Sequence, residues 1–215
     1  MAEPDPYDAH SDRYDAWFDE HPAAFASEIK ALEHVLPENG NGLEVGVGTG
    51  RFAAALGIGM GIDPSAKMRE RARRRGIEVN EGVGEELPYP DAQFDRVLLT
   101  TTLCVLDDPA QTVTEIRRVL RPGGTLTVGF IDRDSPLGKR YEQERHGSPF
   151  YREARFHSTP EVIALLEESG FQDLEFYQTL FSDPDQMTES DPVRPGHGEG
   201  GFVVIGARKP DRFPT

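Results

Sequence analysis

The sequence has few of the residues and segments that several protein classes require. A single cysteine, Cys104, among 215 residues excludes a disulfide framework within the chain and a zinc cluster held by several thiolates. No window approaches the roughly 20 apolar residues that span a bilayer. The first 20 residues contain five aspartates and no apolar segment of the kind that forms a signal peptide. We therefore expect a soluble, cytoplasmic protein in a reducing compartment, without a metal site.

Basic residues are scarce as well. The chain has 23 Lys and Arg against 38 Asp and Glu, which gives a formal net charge of −15. Such a field repels the phosphates of nucleic acids and anionic membrane surfaces, so we predict neither as a partner. A basic run at 67–75 is interpreted as the solvated face of an outer helix, because that explains such a run more often than an RNA site does.

The order of the predicted elements indicates a parallel sheet. Apolar residues at three- and four-residue steps, together with helix start and stop signals, predict helices over 23–36, 51–56, 65–75, 110–120 and 161–169. Short apolar runs predict seven strands. The first begins at residue 43, and the others cover 60–63, 77–80, 94–99, 125–131, 174–181 and 202–207. Strands and helices that alternate at this spacing form crossover units. We therefore predict an α/β fold with a mostly parallel sheet, in which the last strand is antiparallel.

Some segments carry no periodic pattern. Residues 132–157 are polar and aromatic and are interpreted as an insertion or lid, while 182–201, rich in Asp, Pro and Gly, is predicted to be a loop. Thr159 is a suitable N-cap for the last helix, with Pro160 at its first position. A chain of this length is expected to form a single domain over 1–215.

A glycine-rich loop follows the first strand. Gly46, Gly48 and Gly50 precede a predicted helix, where backbone N–H groups can approach a ligand and the helix dipole favours a carboxylate or phosphate. Asp63 ends the second strand, where a carboxylate can accept both hydroxyls of a ribose. Its alternative role is to cap the next helix through Ser65. The loop and the acid together indicate a cofactor that contains a nucleoside.

The sequence of this loop does not exclude a nicotinamide cofactor. A dinucleotide loop has the pattern G-x-G-x-x-G, and Arg51 stands at the third glycine when the count starts from Gly46. Counted from Gly48, the pattern is met if Ala53 takes the last place. Asp63 is also closer to the loop than the roughly 20 residues of the dinucleotide fingerprint. The nicotinamide alternative is therefore weakened but still open.

Four segments, in order, resemble the motifs of a known family. They are LEVGVGTG at 43–50, GIDPSAKM at 61–68, EELPYPDAQFD at 85–95 and RVLRPGG at 118–124. The chain resembles the class I S-adenosylmethionine-dependent methyltransferases, and most closely their small branch typified by the ubiquinone and menaquinone biosynthesis methyltransferases. The resemblance implies a Rossmann-like sheet with helices on both faces. Its parts would be an N-terminal helical cap (1–36), a cofactor-binding half (43–131), the lid (132–157) and the completion of the sheet (158–208).

The resemblance also assigns contacts with S-adenosylmethionine, whose product is S-adenosylhomocysteine. It implies that the backbone of Gly46, Val47 and Gly48 holds the methionine part and that Asp63 binds the ribose. Pro64 and Met68 would pack near the adenine, Gly84 and Glu85 would bound its edge, and Thr100 and Thr101 would face the methionine and methyl groups. Tyr14 resembles the family's N-terminal element that closes over the cofactor.

Two positions depart from the family pattern. Val83 stands where many relatives have an aspartate that binds the adenine amino group, and Cys104-Val105 replaces a His pair often found after the fourth strand. A cofactor-binding regulatory or inactive protein is therefore a second hypothesis. His146 and His157 are candidate bases, with a surface or structural role as the alternative. Cys104 is interpreted as a buried residue rather than a nucleophile.

Methyl transfer from a sulfonium requires alignment more than a catalytic motif. The displacement is in-line and the donor is already activated, so orientation supplies most of the protein's contribution; no catalytic residue is assigned. Because a negative field favours cationic or neutral acceptors, a small amine is the predicted acceptor. Five aromatic residues are candidates to line its pocket, with ordinary lid packing as the alternative: Trp17, Phe18, Tyr141, Phe150 and Tyr151.

Overall fold

An eight-stranded sheet runs through residues 6–211, the part of the chain that the computed structural model describes. Its strands are β1 (Gly42–Val45), β2 (Met60–Asp63), β3 (Glu78–Glu81), β4 (Phe94–Thr100), β5 (Leu120–Ile131), β6 (Gln172–Thr179), β7 (Arg194–Pro195) and β8 (Phe202–Arg208). They are hydrogen-bonded in the order β3-β2-β1-β4-β5-β8-β6-β7. The pairs among β1 to β5 are parallel, whereas β8 is antiparallel to both β5 and β6. The predicted mostly parallel sheet with an antiparallel last strand is confirmed.

The predicted count of seven strands is wrong because of β7. This strand of two residues lies in the segment predicted as a loop, and it pairs antiparallel with β6 through Tyr177 and Gln178. A period of two cannot be detected over two residues. The pairing forms only because the chain returns to the edge of β6.

Helices cover both faces of the sheet. They are α1 (Pro6–Ala9), α2 (Ser11–Glu20), α3 (Pro22–Glu33), α4 (Arg51–Ala55), α5 (Ala66–Arg74), α6 (Pro109–Val119), α7 (Pro136–Glu144) and α8 (Thr159–Glu168). Neighbouring strand residues point to opposite faces, so the fully buried Leu98 and Leu99 belong to different cores. Leu99 packs in the core that includes α6 and α8, and Leu98 packs in the core that includes α2, α3 and α4.

The segment predicted as a lid contains a helix that the sequence pattern does not reveal. Helix α7 begins after Ser135, whose hydroxyl accepts the N–H of Gly138 at 2.9 Å. Within this nine-residue helix the only buried residues are Leu137 and Gly138. Too few apolar residues are present for a visible helical period.

The N-cap of α8 is one residue earlier than predicted. Ser158, not Thr159, caps the helix in a capping box: Ser158 accepts from the backbone of the first turn, and the Glu161 side chain accepts the Ser158 N–H at 2.8 Å. The Thr159 hydroxyl instead donates to Asp132 at 2.8 Å. Both residues are suitable caps by type, and the buried partner of Thr159 decides between them.

Candidate active site

The loop between β1 and α4 has a conformation that favours glycine. Gly46, Gly48 and Gly50 have φ values of +70°, +53° and +80°, in the left-handed region. A Cβ on Gly46 would lie 2.4 Å from the Thr102 side chain. A Cβ on Gly48 would meet only the Tyr14 ring, at 3.7 Å. The backbone at Gly48 therefore has open space beside it, opposite the Tyr14 ring.

Hydrogen bonds within the protein occupy several N–H groups of this loop. Gly46 and Val47 donate to the Ile62 carbonyl at 2.9 and 3.0 Å, and Gly48 donates to Asp63 Oδ2 at 2.8 Å. The expectation that these N–H groups approach a ligand is therefore corrected. The loop can offer carbonyl oxygens, each of which has two lone pairs.

Asp63 caps the next helix and also lies at the wall of a cavity. Its Oδ1 accepts the N–H of Ser65 at 2.9 Å and its Oδ2 accepts the N–H of Gly48, so it fixes both the glycine loop and the start of α5. The side chain also lines a cavity at the carboxyl ends of β1 and β2. Each carboxylate oxygen can accept further hydrogen bonds, so Asp63 is able to bind hydroxyl groups from the cavity.

This first cavity has a volume of about 200 Å³ and unites most of the predicted site. Nine of the eleven predicted residues line it: Tyr14, Gly46, Gly48, Asp63, Pro64, Met68, Gly84, Glu85 and Thr101. Val83 also lines it and is 46% exposed. The predicted positions, which are spread over more than 85 residues of sequence, thus converge on one cleft.

The other two predicted residues point into the sheet. The Val47 side chain is buried against Gly61, where an added Cβ would lie 2.7 Å from it. Thr100 is buried against Gly129, at which a Cβ would lie 2.7 Å from the Thr100 hydroxyl. Neither residue lines the first cavity.

The turn after β3 forms another wall of the first cavity. Gly84 packs closely on α6, since a Cβ there would lie 2.7 Å from Thr112. The Glu85 carboxylate accepts the N–H groups of Asp107 and Asp108, both at 3.1 Å. Glu85 therefore joins this turn to the loop that follows β4.

A second cavity of about 340 Å³ lies among α2, α3, α7 and residues 148–151. All five aromatic residues that the sequence singles out line it. They also pack on one another: the rings of Tyr141 and Tyr151 are stacked at 5.0 Å, and the ring of Phe150 is 5.7 Å from that of Tyr14. These aromatic residues therefore both line the second cavity and pack within the lid.

The two cavities meet at three shared residues, Tyr7, Tyr14 and Thr101. Burial raises the pKa of Tyr14 even though its hydroxyl is hydrogen-bonded to Thr101. Thr101 has a φ of +52°, unusual for a β-branched residue. Strained residues of this kind cluster at functional sites, and this one stands at the passage between the cavities.

Glu28 is a residue of the second cavity that the sequence reasoning missed. Its side chain is 3% exposed and its Oε2 has no hydrogen-bond partner. Burial raises the pKa of Glu28 to about 8. A signal was present, because Glu28 lies three residues after Phe25 and four before Leu32, on the apolar face of the predicted helix.

An ion-pair cluster fastens the N-terminal helices beside the first cavity. Asp15 of α2 accepts from Arg51 at 2.9 Å and from Arg75 at 2.9 Å, and Arg71 approaches it at 3.4 Å. Burial opposes ionisation of Asp15, but the hydrogen bonds from Arg51 and Arg75 outweigh it and lower its pKa to about 2. The interpretation of 67–75 as a solvated face is therefore wrong for Arg71 and Arg75.

Neither candidate histidine lines the second cavity. His146 is exposed on a 3₁₀ turn. His157 lines a small cavity of about 60 Å³ beside Cys104 and Tyr151, and burial lowers its pKa. The positions do not support either histidine as a base for a ligand in the second cavity.

Cys104 lines the second cavity as a protonated thiol. Burial raises its pKa from 9.0 to about 11, which lowers the thiolate fraction at pH 8 about 100-fold, and the thiolate is the reactive form. We expect iodoacetamide to alkylate Cys104 at least roughly 100-fold more slowly in the folded protein than in urea. Mass spectrometry over time measures both rates on this single cysteine, and equal rates would contradict the buried environment.

Residues 6–211 contain no candidate metal cluster and no candidate membrane span. No group of three His, Cys, Asp or Glu side chains in this range is placed to hold a metal ion. Within the same range, no helix is long and apolar enough to cross a membrane.

Comparison with known proteins identifies the family. Residues 43–128 match the methyltransferase domain family. An uncharacterized protein of Methanocaldococcus jannaschii is 45% identical over 203 residues, which cover 94% of this chain and 98% of that protein. An uncharacterized protein of Mycobacterium tuberculosis is 39% identical, with coverage of 90% and 70%.

A solved structure shows the same similarity in three dimensions. The crystal structure of a Thermotoga maritima protein, described as a SAM-dependent methyltransferase and possible histamine N-methyltransferase, has a TM-score of 0.93. It is 45% identical and covers 95% of this chain and 98% of its own. The fold, the cleft and these relatives define a methyltransferase. The chain belongs to the class I S-adenosylmethionine-dependent methyltransferases, with S-adenosylmethionine as cofactor, as predicted.

Proposed function

We propose that the protein transfers the methyl group to a small-molecule acceptor, with S-adenosylmethionine in the first cavity and the acceptor in the second. The observation that carries this proposal is the junction of the two cavities at Tyr7, Tyr14 and Thr101. A methyl group has to pass between two molecules held end to end. The two clefts are arranged for such a transfer.

The residues of the first cavity suit this cofactor chemically. Asp63 would bind the two ribose hydroxyls, and carbonyl oxygens of residues 46–48 would accept hydrogen bonds from the ammonium group of the methionine part. Pro64 and Met68 would pack on the adenine, with Gly84 and Glu85 at its edge. Tyr14 would cover the cofactor opposite Gly48, and Thr101, supported from within the sheet by Thr100, would lie beside the methyl group.

Catalysis would depend on alignment and exclusion of water. The bound cofactor supplies a methyl group on a positively charged sulfur. The protein's part is to orient the acceptor towards it, which contributes up to roughly 7–11 kcal/mol in well-oriented reactions. The N-terminal helices and α7, with Phe150 and Tyr151, enclose the second cavity and would keep water out.

An amine is the acceptor class that the available observations favour. The chain carries a net charge of −15, which attracts cations. The Thermotoga maritima relative is described as a possible histamine N-methyltransferase. The second cavity, with its aromatic lining, has a size suited to a small organic molecule.

Turnover of labelled cofactor tests the proposal. Calorimetry should show that S-adenosylmethionine binds, and mass spectrometry should then detect label on an acceptor from a panel of amines, phenols, thiols and carboxylic acids. Binding without any turnover across the panel would contradict the proposal and support a regulatory protein. Absence of cofactor binding, with enhanced NADH fluorescence instead, would contradict it in favour of an oxidoreductase.

A further inference from the structure

The wall of the second cavity contains a buried carboxylate whose function the fold does not explain. Glu28 lies on the inward face of α3, between Ala24 and Leu32, which are both fully buried. Its Oε2 is inaccessible and accepts no hydrogen bond. A buried polar atom without a partner destabilises a folded protein. The position of Glu28 is explained if a ligand supplies the missing donor.

The side chains around Glu28 are suited to a cation. Tyr14, Tyr141 and Tyr151 line the same cavity as Glu28, and so do Trp17 and Phe150. Aromatic faces attract ammonium groups, most strongly where water is excluded. Aromatic walls beside a carboxylate therefore form a pocket for an organic cation.

The remaining charged groups of this cavity do not make it positive. Two arginines and three carboxylates line it besides Glu28: Arg13, Arg140, Glu20, Glu144 and Asp185. Arg140 is already paired, at 2.7 Å with Asp183 and at 3.4 Å with Asp185. An anionic acceptor would therefore meet Arg13 and an arginine that is already paired, against several carboxylates.

We propose that Glu28 binds the ammonium group of the acceptor and takes up its proton, so that the enzyme selects small amines with an aromatic or apolar body. This inference rests on the proposed function, because it places the acceptor in the second cavity. It adds the residue that recognises the acceptor and generates the nucleophile.

The proton balance of this step is simple. At neutral pH the carboxyl group of Glu28 is largely protonated, since its pKa is raised to about 8 by burial. Entry of an ammonium ion favours the carboxylate, so one proton leaves to solvent. An N–H bond of the ammonium group then breaks and an O–H bond forms on Glu28, while the electron pair stays on nitrogen as the lone pair that methyl transfer requires. This proton restores the protonated form that Glu28 has in the free enzyme, so the proton released on binding is the single proton lost in each turnover.

Calorimetry tests the binding step without turnover. Three ligands of similar shape, phenethylamine, 2-phenylethanol and phenylacetate, are titrated into the complex with S-adenosylhomocysteine at pH 7, in phosphate and in Tris. We expect phenethylamine to bind most tightly and to release close to one proton, seen as a difference in heat between the buffers. In Glu28→Gln, its affinity should fall at least tenfold and the proton release should disappear.

Glu33→Gln is the matched control, because Glu33 is exposed on the same helix; it should behave as the wild type. Steady-state assays with phenethylamine should show kcat/KM lowered roughly 100-fold or more in Glu28→Gln only. Unchanged affinity and proton release in Glu28→Gln, tighter binding of phenylacetate, or no amine binding would overturn the inference. S-adenosylmethionine is titrated in parallel, and its failure to bind the wild type would instead overturn the proposed function.

Discussion

Replacement of Asp63 by alanine is expected to weaken the binding of S-adenosylmethionine roughly ten- to a hundredfold. One hydrogen bond to a charged group contributes about 1.5–3 kcal/mol, which corresponds to that range of affinity. The variant also removes the acceptor for the N–H groups of Gly48 and Ser65, so the loop loses a support at the first cavity. Isothermal titration calorimetry measures the change.

Two further variants serve as controls for this experiment. Asp91→Ala changes an exposed carboxylate that lies outside the first cavity, and its affinity should equal that of the wild type. Asp63→Asn keeps one carbonyl oxygen and the side-chain shape, so it should retain the fold and lose part of the affinity. An unchanged dissociation constant in Asp63→Ala, with a normal melting curve, would remove Asp63 from the cofactor site.

Replacement of Asp15 by alanine is expected to lower the melting temperature by roughly 10 °C. Removal of one partner of a buried ion pair costs about 3–5 kcal/mol, because the other charge stays uncompensated, and each kcal/mol shifts a domain of this size by about 2–4 °C. Here Arg75 would lose its carboxylate partner, whereas Arg51 would keep only Asp19, at 2.8 Å. Differential scanning calorimetry measures the shift.

Asp12→Ala is the matched control, because Asp12 lies on the same helix as Asp15. Asp12 pairs with Arg71 of α5, and its side chain is 90% exposed. Exposed pairs contribute about 0–1 kcal/mol, so this variant should melt within a few degrees of the wild type. Equal effects of the two substitutions would contradict the role of Asp15 as the buried centre of the cluster.

The same residue predicts a dependence on pH. The pKa of Asp15 is lowered from 3.8 to about 2 in the folded protein, so the folded state favours the carboxylate. A stabilisation of about 2 kcal/mol is present above pH 4 and is lost as the pH falls towards 2. Urea unfolding between pH 5 and pH 2.5 should show this loss in the wild type and a smaller one in Asp15→Ala, and parallel curves would refute it.

Sequence motifs predicted most of the residues that meet at the first cavity, and the aromatic residues but not the buried carboxyl group of the second. Gly46 and Gly48 follow β1, and Asp63 ends β2, which is the next strand in the sequence. The parallel sheet brings the carboxyl ends of these two strands to one edge. Glu28 was missed because its helix pattern describes the period of apolar residues and not the partner of each side chain. Helix α7 was missed because only one of its turns is buried.

The amino-acid sequence by itself determined the α/β class, the mostly parallel sheet and most of the residues that line the first cavity, because these depend on local periodicity and on motifs that are short in sequence. Only the tertiary structure decided the rest. It joined α2, α3, α7 and residues 148–151 around the second cavity, added β7 to the sheet, and turned the basic run of α5 towards Asp15. Burial and pairing between segments that are distant in the chain are properties of packing, and no local pattern encodes them.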